Sequence, residues 1–246
     1  MLPGYYNRSY NVQTLSREDV LFEKILQSGW WTRATQCVDS HYSNVDGVML
    51  SDHLVAVTEN IYKVFHRRQS SFQSKLFDIL DRMNIDRQKL MDELRIVALL
   101  HDIGKVECDK TKLVRHPLYK HFTIKRHSIV SLYAAIEILQ NETLLSVIEK
   151  LRIYSVIEEH DVSYGLFCEW MRTGKLPTTK RWKELNDNVD TRPGVGLMYL
   201  LFFKLADTHG HWNLTDVVWF FKQVKTNYFN NLNIDLPIPT EKDIRL

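Results

Sequence analysis

The stretch from Leu99 to Lys105 constrains this chain more than any other. Upstream of it Leu90, Leu94, Val97, Ala98 and Leu100 recur at helical spacing, which predicts a largely buried helix arriving at His101 and Asp102. Gly104 is expected to let the backbone turn and end that helix, and Lys105 adds a cation beside the pair. An imidazole and a carboxylate at the mouth of an apolar helix cost desolvation energy unless something pairs with them. A divalent cation is a natural partner, because both groups are ligands for Zn, Mn or Fe. A helix C-terminal cap with an incidental histidine competes with that reading on these seven residues. The rest of the chain must decide.

The 246 residues suffice for one large domain or two small ones. With 44% apolar and 25% charged residues the composition is that of an ordinary globular protein. A formal net charge of +2 is too small for a general nucleic-acid coat, so any basic surface must be local. Cys37, Cys108 and Cys168 are far apart and form no CxxC, which argues against a thiolate zinc site or a disulfide scaffold and fits a reducing compartment. The first ten residues hold no apolar core of a secretory signal, and the greasiest run, 195–203, is too short to span a bilayer. A cytoplasmic protein without membrane contact is expected.

In chain order, residues 1–15 read as a coil arm, and Ser16 with Asp19 as a capping box opening a helix that ends at Gly29. The segment 30–47 reads as irregular. Further helices are expected near 52–65, 71–83, 86–102, 123–140, 143–160, 195–208 and 214–228. Residues 109–122 read as a basic loop and 165–194, with Gly174, Pro177 and Pro193, as an insertion. Strand patterns are nearly absent. An all-α, single-domain helical bundle is expected, with 1–40 as an arm and helix packing on the core, 41–230 as the main domain, and 231–246 as a tail.

Of the ten histidines, four fall on apolar helical faces, an unusual place for a residue that can carry charge. His53 opens the face of Val57, Ile61 and Val64; His101 continues that of Leu94 and Ala98. His127 follows Ile124, and His160 follows Ile153, Val156 and Ile157. Asp207 follows Leu200, Phe203 and Lys204 in the same way. One buried histidine is most often a hydrogen-bonded core residue. Four, together with Asp102 and Asp207, are hard to bury without metal.

The order His53, His101-Asp102, His127, His160, Asp207 resembles the HD superfamily of metal-dependent phosphohydrolases, in its binuclear branch, over about residues 48–212. The segment from Leu99 to Lys105 with Glu107, Phe122 and His127 is also similar to HD-type exoribonucleases and to the HD domain of tRNA nucleotidyltransferases. The resemblance implies an HD-domain bundle with one metal on His53, His101, Asp102 and Asp207. A second would sit on His127 and His160 with Asp102 bridging. Two such metals suit in-line displacement at phosphorus and lower the pKa of a water between them. Manganese or iron is favoured where no thiolate is available, with Mg, Co, Ni or Zn compatible. The intervals His53–His101 and His160–Asp207 are longer than the family pattern, the first requiring the helix at 71–83 and the second holding the insertion. Both leave the substrate open.

Asp102 and Lys105 are the candidate catalytic residues, and Lys105, Arg115, Lys125 and Arg126 the candidate substrate-binding ones. Lys110, Lys112, His116, Lys120 and His121, interleaved with Tyr119 and Phe122, complete a basic patch suited to a phosphorylated small molecule or a nucleic acid. Glu158, Glu159 and Asp161 flank His160; one could orient a ligand, but each is expected on the surface. His209 and His211 could line the site, His41 is a weaker rival of His53, and Trp170, Trp182 and Arg192 could cap the pocket. Trp30, Trp31 and Trp219 are expected to pack. Two other readings fit the same ligands. One is a mixed-valence diiron oxygenase of the myo-inositol oxygenase kind; the other is a non-catalytic nucleotide-binding module.

Overall fold

Capping chemistry fixes where the first helices begin. Ser16 Oγ accepts from the Asp19 amide at 3.1 Å while Asp19 Oδ2 accepts from the Ser16 amide at 3.1 Å, so α1 (Arg17–Leu26) opens with the expected capping box. The computed structural model describes residues 16–39, 47–66, 70–107, 113–115, 122–124, 126–208 and 214–244. After α1 come α2 (Gly29–Ala34), α3 (Leu50–His66), α4 (Ser71–Arg82) and α5 (Arg87–Leu100). A 3₁₀ turn (Ile103–Glu107) and two short strands, β1 (Leu113–Arg115) and β2 (Phe122–Ile124), lead to α6 (His127–Leu139) and α7 (Val147–Glu159). The chain continues through α8 (Val162–Thr173), α9 (Thr179–Val189), α10 (Val195–Ala206), α11 (Thr215–Asn227), a second 3₁₀ turn (Phe229–Leu232) and α12 (Glu241–Ile244). Ser70 with Gln73 and Ser146 with Glu149 form two more capping boxes, at α4 and α7.

The fold is all-α, as expected, and several local boundaries differ. Trp30 and Trp31 lie in α2, capped by Ser28 and buried, so the segment read as irregular starts with a helix. The helix expected from 123 begins at His127, because 122–124 pair antiparallel with 113–115. The stretch 165–194 is mostly helix: Phe167 of α8 and Trp182 of α9 are buried, and Trp182 packs on Trp219 and Phe220 of α11 rather than over a pocket. Arg192 pairs with Asp190. Leu236 and Ile244 of the expected tail are buried against the body. Among the described residues no helix is long and apolar enough to cross a membrane.

The centre is α10. Every residue in it except Lys204 is buried, the mark of a helix enclosed on all sides. It packs on α3, α5, α7, α9 and α11. Three of these helices share one buried polar network. Arg152 of α7 holds Glu93 of α5 through two hydrogen bonds, at 2.8 and 2.6 Å, and the Tyr199 hydroxyl of α10 donates to Glu93 Oε2 at 2.8 Å. A bidentate guanidinium–carboxylate pair fixes both distance and orientation. Glu93 stands eight residues before His101, Arg152 eight before His160 and Tyr199 eight before Asp207. The network therefore sits at one level, and the candidate ligands at another.

Gly104 has a different role from the one expected. Its φ is not positive. It allows close approach: a Cβ there would stand 2.4 Å from the Ser131 amide nitrogen and 2.7 Å from the Val130 carbonyl carbon, and its own N–H donates to Ser131 Oγ at 2.9 Å. Backbone on one side of this contact cannot yield as a side chain would. Gly104→Ala is expected to cost about 3 kcal/mol, lowering the unfolding midpoint by roughly 6–12 °C in a thermal melt.

Candidate metal centre

Three helices end at one point and two begin there. His101 and His160 are the C-terminal caps of α5 and α7, and Asp207 caps α10. His53 lies in the first turn of α3, and His127 is the first residue of α6. The helices that end here direct their carbonyl-rich, partially negative ends at the site, which favours a cation.

His53, His101, Asp102, His127 and His160 are all buried. Their donor atoms fall into two groups. In the first, His53 Nε2 stands 3.4 Å from His101 Nε2 and 3.5 Å from Asp102 Oδ2, and His101 Nε2 is 3.4 Å from the same oxygen. Asp207 Oδ1 joins at 3.3 Å from His101 Nε2 and 3.8 Å from His53 Nε2. In the second, His127 Nε2 lies 2.8 Å from Asp102 Oδ1 and 3.3 Å from His160 Nε2, which is 3.6 Å from Asp102 Oδ1. Donors about 2.1 Å from a shared cation stand about 3–3.5 Å apart. The contacts here run from 2.8 to 3.8 Å around that spacing, and His53, His101 and Asp102, or Asp102, His127 and His160, could each hold a metal ion.

The local hydrogen bonds aim these nitrogens. His101 Nδ1 meets the Ala98 carbonyl at 2.9 Å, and His160 Nδ1 meets the Ile157 carbonyl at 2.6 Å. With Nδ1–H donating to a carbonyl, Nε2 is the nitrogen left to face the centre. Phe203 packs edge-on against both imidazoles, with ring centroids 5.1 Å from His101 and 6.1 Å from His160.

The carboxylates of this cluster favour positive charge on the groups around them. Burial opposes charge on His101, but the Asp102 and Asp207 carboxylates outweigh it and raise the imidazole to about 10. Burial likewise opposes charge on His127, which Asp161 and Asp102 raise to about 10. Burial works to raise Asp102, yet Lys105, His101 and His127 hold it well below the usual carboxylate range. Asp207 is lowered against burial by His101 and His53. The residues fit a metal on one further count. Asp102 Oδ1 is buried without a well-aligned hydrogen bond, and its neighbours are the His127 and His160 nitrogens at 2.8 and 3.6 Å, the kind of donors that share a cation.

The six residues marked in the sequence as candidate ligands thus lie together, Asp207 through His101 and His53. Lys105 is almost fully buried; its ammonium bonds Asp102 Oδ2 and lies 4.0 Å from Asp39 Oδ1, so it faces carboxylates rather than solvent. Arg126 is exposed in a left-handed conformation, φ 63°, directly before His127. The side chains of Arg115 and Lys125 lie outside the described residues, as do Lys110, Lys112, His116, Lys120, His121, His41, His209 and His211.

Two further carboxylates reach the cluster, one of them unmarked in the sequence. Asp161, one of the three acids that could orient a ligand, is half-exposed and directs Oδ2 to 3.0 Å from His127 Nε2. The signal was the dipeptide itself, since His160-Asp161 repeats His101-Asp102 at a helix end. Asp39 is buried with Oδ2 3.8 Å from His53 Nδ1, and nothing in the sequence marks it. Glu159 bonds Asn188 at 2.6 Å, and Glu158 is exposed.

Comparison of the chain with protein-family models, with curated proteins and with solved structures finds no match. Fold and site alone define a helical bundle with a buried His/Asp cluster able to bind metal.

Proposed function

We propose that this chain is a metal-dependent phosphohydrolase of the HD type, acting on a phosphomono- or phosphodiester of a nucleotide or nucleic acid. The observation that carries the reading is the Asp102 carboxylate, with one oxygen toward His53 and His101 and the other toward His127 and His160. A carboxylate shared in this way is what a two-cation site uses as its bridge. His53, His101, Asp102 and Asp207 would hold one cation, and His127, His160 and Asp102 the other. A bound pair supplies a hydroxide at neutral pH and offsets charge on phosphoryl oxygens.

The remaining groups position and select. Lys105, buried, bonds Asp102 Oδ2 and would hold that carboxylate in place if it were shared between two cations. His101 and His160 keep Nε2 directed inward through their carbonyl contacts. Arg126 is exposed and directly precedes His127, and a guanidinium is a group matched to phosphate oxygens.

Chelator-stripped protein reloaded with Mn(II) is expected to hydrolyse bis(p-nitrophenyl) phosphate or a nucleotide equally fast in air and in an anaerobic chamber. Product formation that requires oxygen would replace the hydrolase with the diiron oxygenase. No turnover across a panel of phosphoesters with Mn, Fe, Co, Ni, Mg and Zn would favour a non-catalytic nucleotide-binding module.

A further inference from the structure

We propose that Asp161 is a direct ligand of the second cation, closing that position with a displaceable carboxylate on its solvent side. The inference rests on the two-cation reading above and adds a residue to it. Asp161 Oδ2 lies 3.0 Å from His127 Nε2, and its Oδ1 lies 3.7 Å from His160 Nε2. Both oxygens therefore face the imidazole nitrogens of the second group.

Donor count argues the same way. The first group has two imidazoles and two carboxylates, Asp102 and Asp207. Without Asp161 the second has two imidazoles and only a share of Asp102. Adding Asp161 makes the sets equal, each with two imidazoles, a carboxylate of its own and one oxygen of Asp102.

The local structure supplies an independent reason. His101 and His160 end their helices with the same backbone conformation, φ −57° and ψ −35°, and each Nδ1 meets the carbonyl three residues back. In both cases the next residue is aspartate. At α5 that aspartate, Asp102, is buried and lies between the two groups. At α7 its counterpart stands at the rim, its side chain 49% exposed against 19% for Asp207 and 3% for Asp102. The two helix ends thus offer the same dipeptide to the same centre, one from inside and one from the mouth.

Exposure gives Asp161 a function that the buried ligands lack. A half-exposed carboxylate can surrender an oxygen position to an incoming phosphate oxygen without leaving a buried charge unpaired. Asp161 would thus help His127 and His160 retain a cation between turnovers and would yield its position to substrate.

The test is Mn(II) binding to chelator-stripped protein, read by metal analysis after desalting, by calorimetric titration and by the spin-coupled pair signal in electron paramagnetic resonance. Wild type is expected to bind two equivalents. Asp161→Asn and Asp161→Ala should each retain one, lose the coupled signal, and weaken the second site by at least about 100-fold, beyond the loss from removing an outer-shell partner. If wild type binds two and both variants also bind two with unchanged affinity, Asp161 is no ligand and the two-cation reading stands. Loss of both equivalents in both variants likewise overturns a site-specific role. Fewer than two equivalents in wild type overturns the two-cation reading itself.

Discussion

Asp102→Ala is expected to empty both cation positions at once and to lower phosphoester turnover by at least about 10³-fold, more than loss of a single transition-state contact. The reason is geometric. Asp102 is the residue whose oxygens meet both groups of imidazoles, so its loss cannot be confined to one of them. A stability cost follows as well. Lys105 is buried against Asp102, and breaking a buried pair by removing one partner typically costs about 3–5 kcal/mol. Metal content and the thermal midpoint should therefore fall together in Asp102→Ala. Asp102→Asn, which keeps the shape and one carbonyl oxygen, separates the two effects. A variant that keeps its metal and its turnover would remove Asp102 from the centre of the site.

The stability of the protein should respond to pH in opposite senses with and without metal. In the metal-free chain His101 and His127 titrate near 10, above the unfolded value of about 6.5. Between those values the unfolded chain has lost a proton that the folded chain keeps. Their contribution is complete below about pH 6.5 and is lost as pH rises toward 10, by at most about 1.4 kcal/mol per pH unit for each group. Asp102 and Asp207 act at the other end, since both are lowered in the fold: their contribution is present above about pH 4 and is lost as pH falls. Metal reverses the alkaline limb, because a cation displaces the same protons and binds more tightly as pH rises. Thermal melts at pH 5.5 and 8.5 should show the chelated protein less stable at 8.5 and the Mn-loaded protein more stable there. Parallel behaviour with chelator and with Mn would mean that these histidines do not meet the metal.

What the sequence could and could not reveal follows from the physics of each residue. The six candidate positions were legible because a histidine or aspartate in helical register with Leu94, Ile153 or Leu200 falls on the inward face. Their pairing was not, since nothing local states that Asp102 faces His127 as well as His53. The buried state of Lys105 was also hidden: a lysine after a helix reads as solvated until Asp39 arrives from a distant segment. Asp161 was named only as one of three acids flanking His160, and nothing local says that this one, half-exposed, turns both oxygens to His127 and His160. Trp30 and Trp31 announced packing, but not that a six-residue helix, α2, carries them.

The Glu93–Arg152–Tyr199 network bears on how finely the centre can be tuned. Eight residues of α-helix rise about 12 Å, so this polar rivet lies roughly that far beneath His101, His160 and Asp207. Pinned at that depth, α5, α7 and α10 cannot slip past one another by a turn without parting a guanidinium from its carboxylate. The span between imidazoles is thus dictated from below, as the legs of a tripod dictate where its head sits. A substitution at Tyr199 or Glu93, remote from any ligand, would be felt as a change in which ions the head will accept.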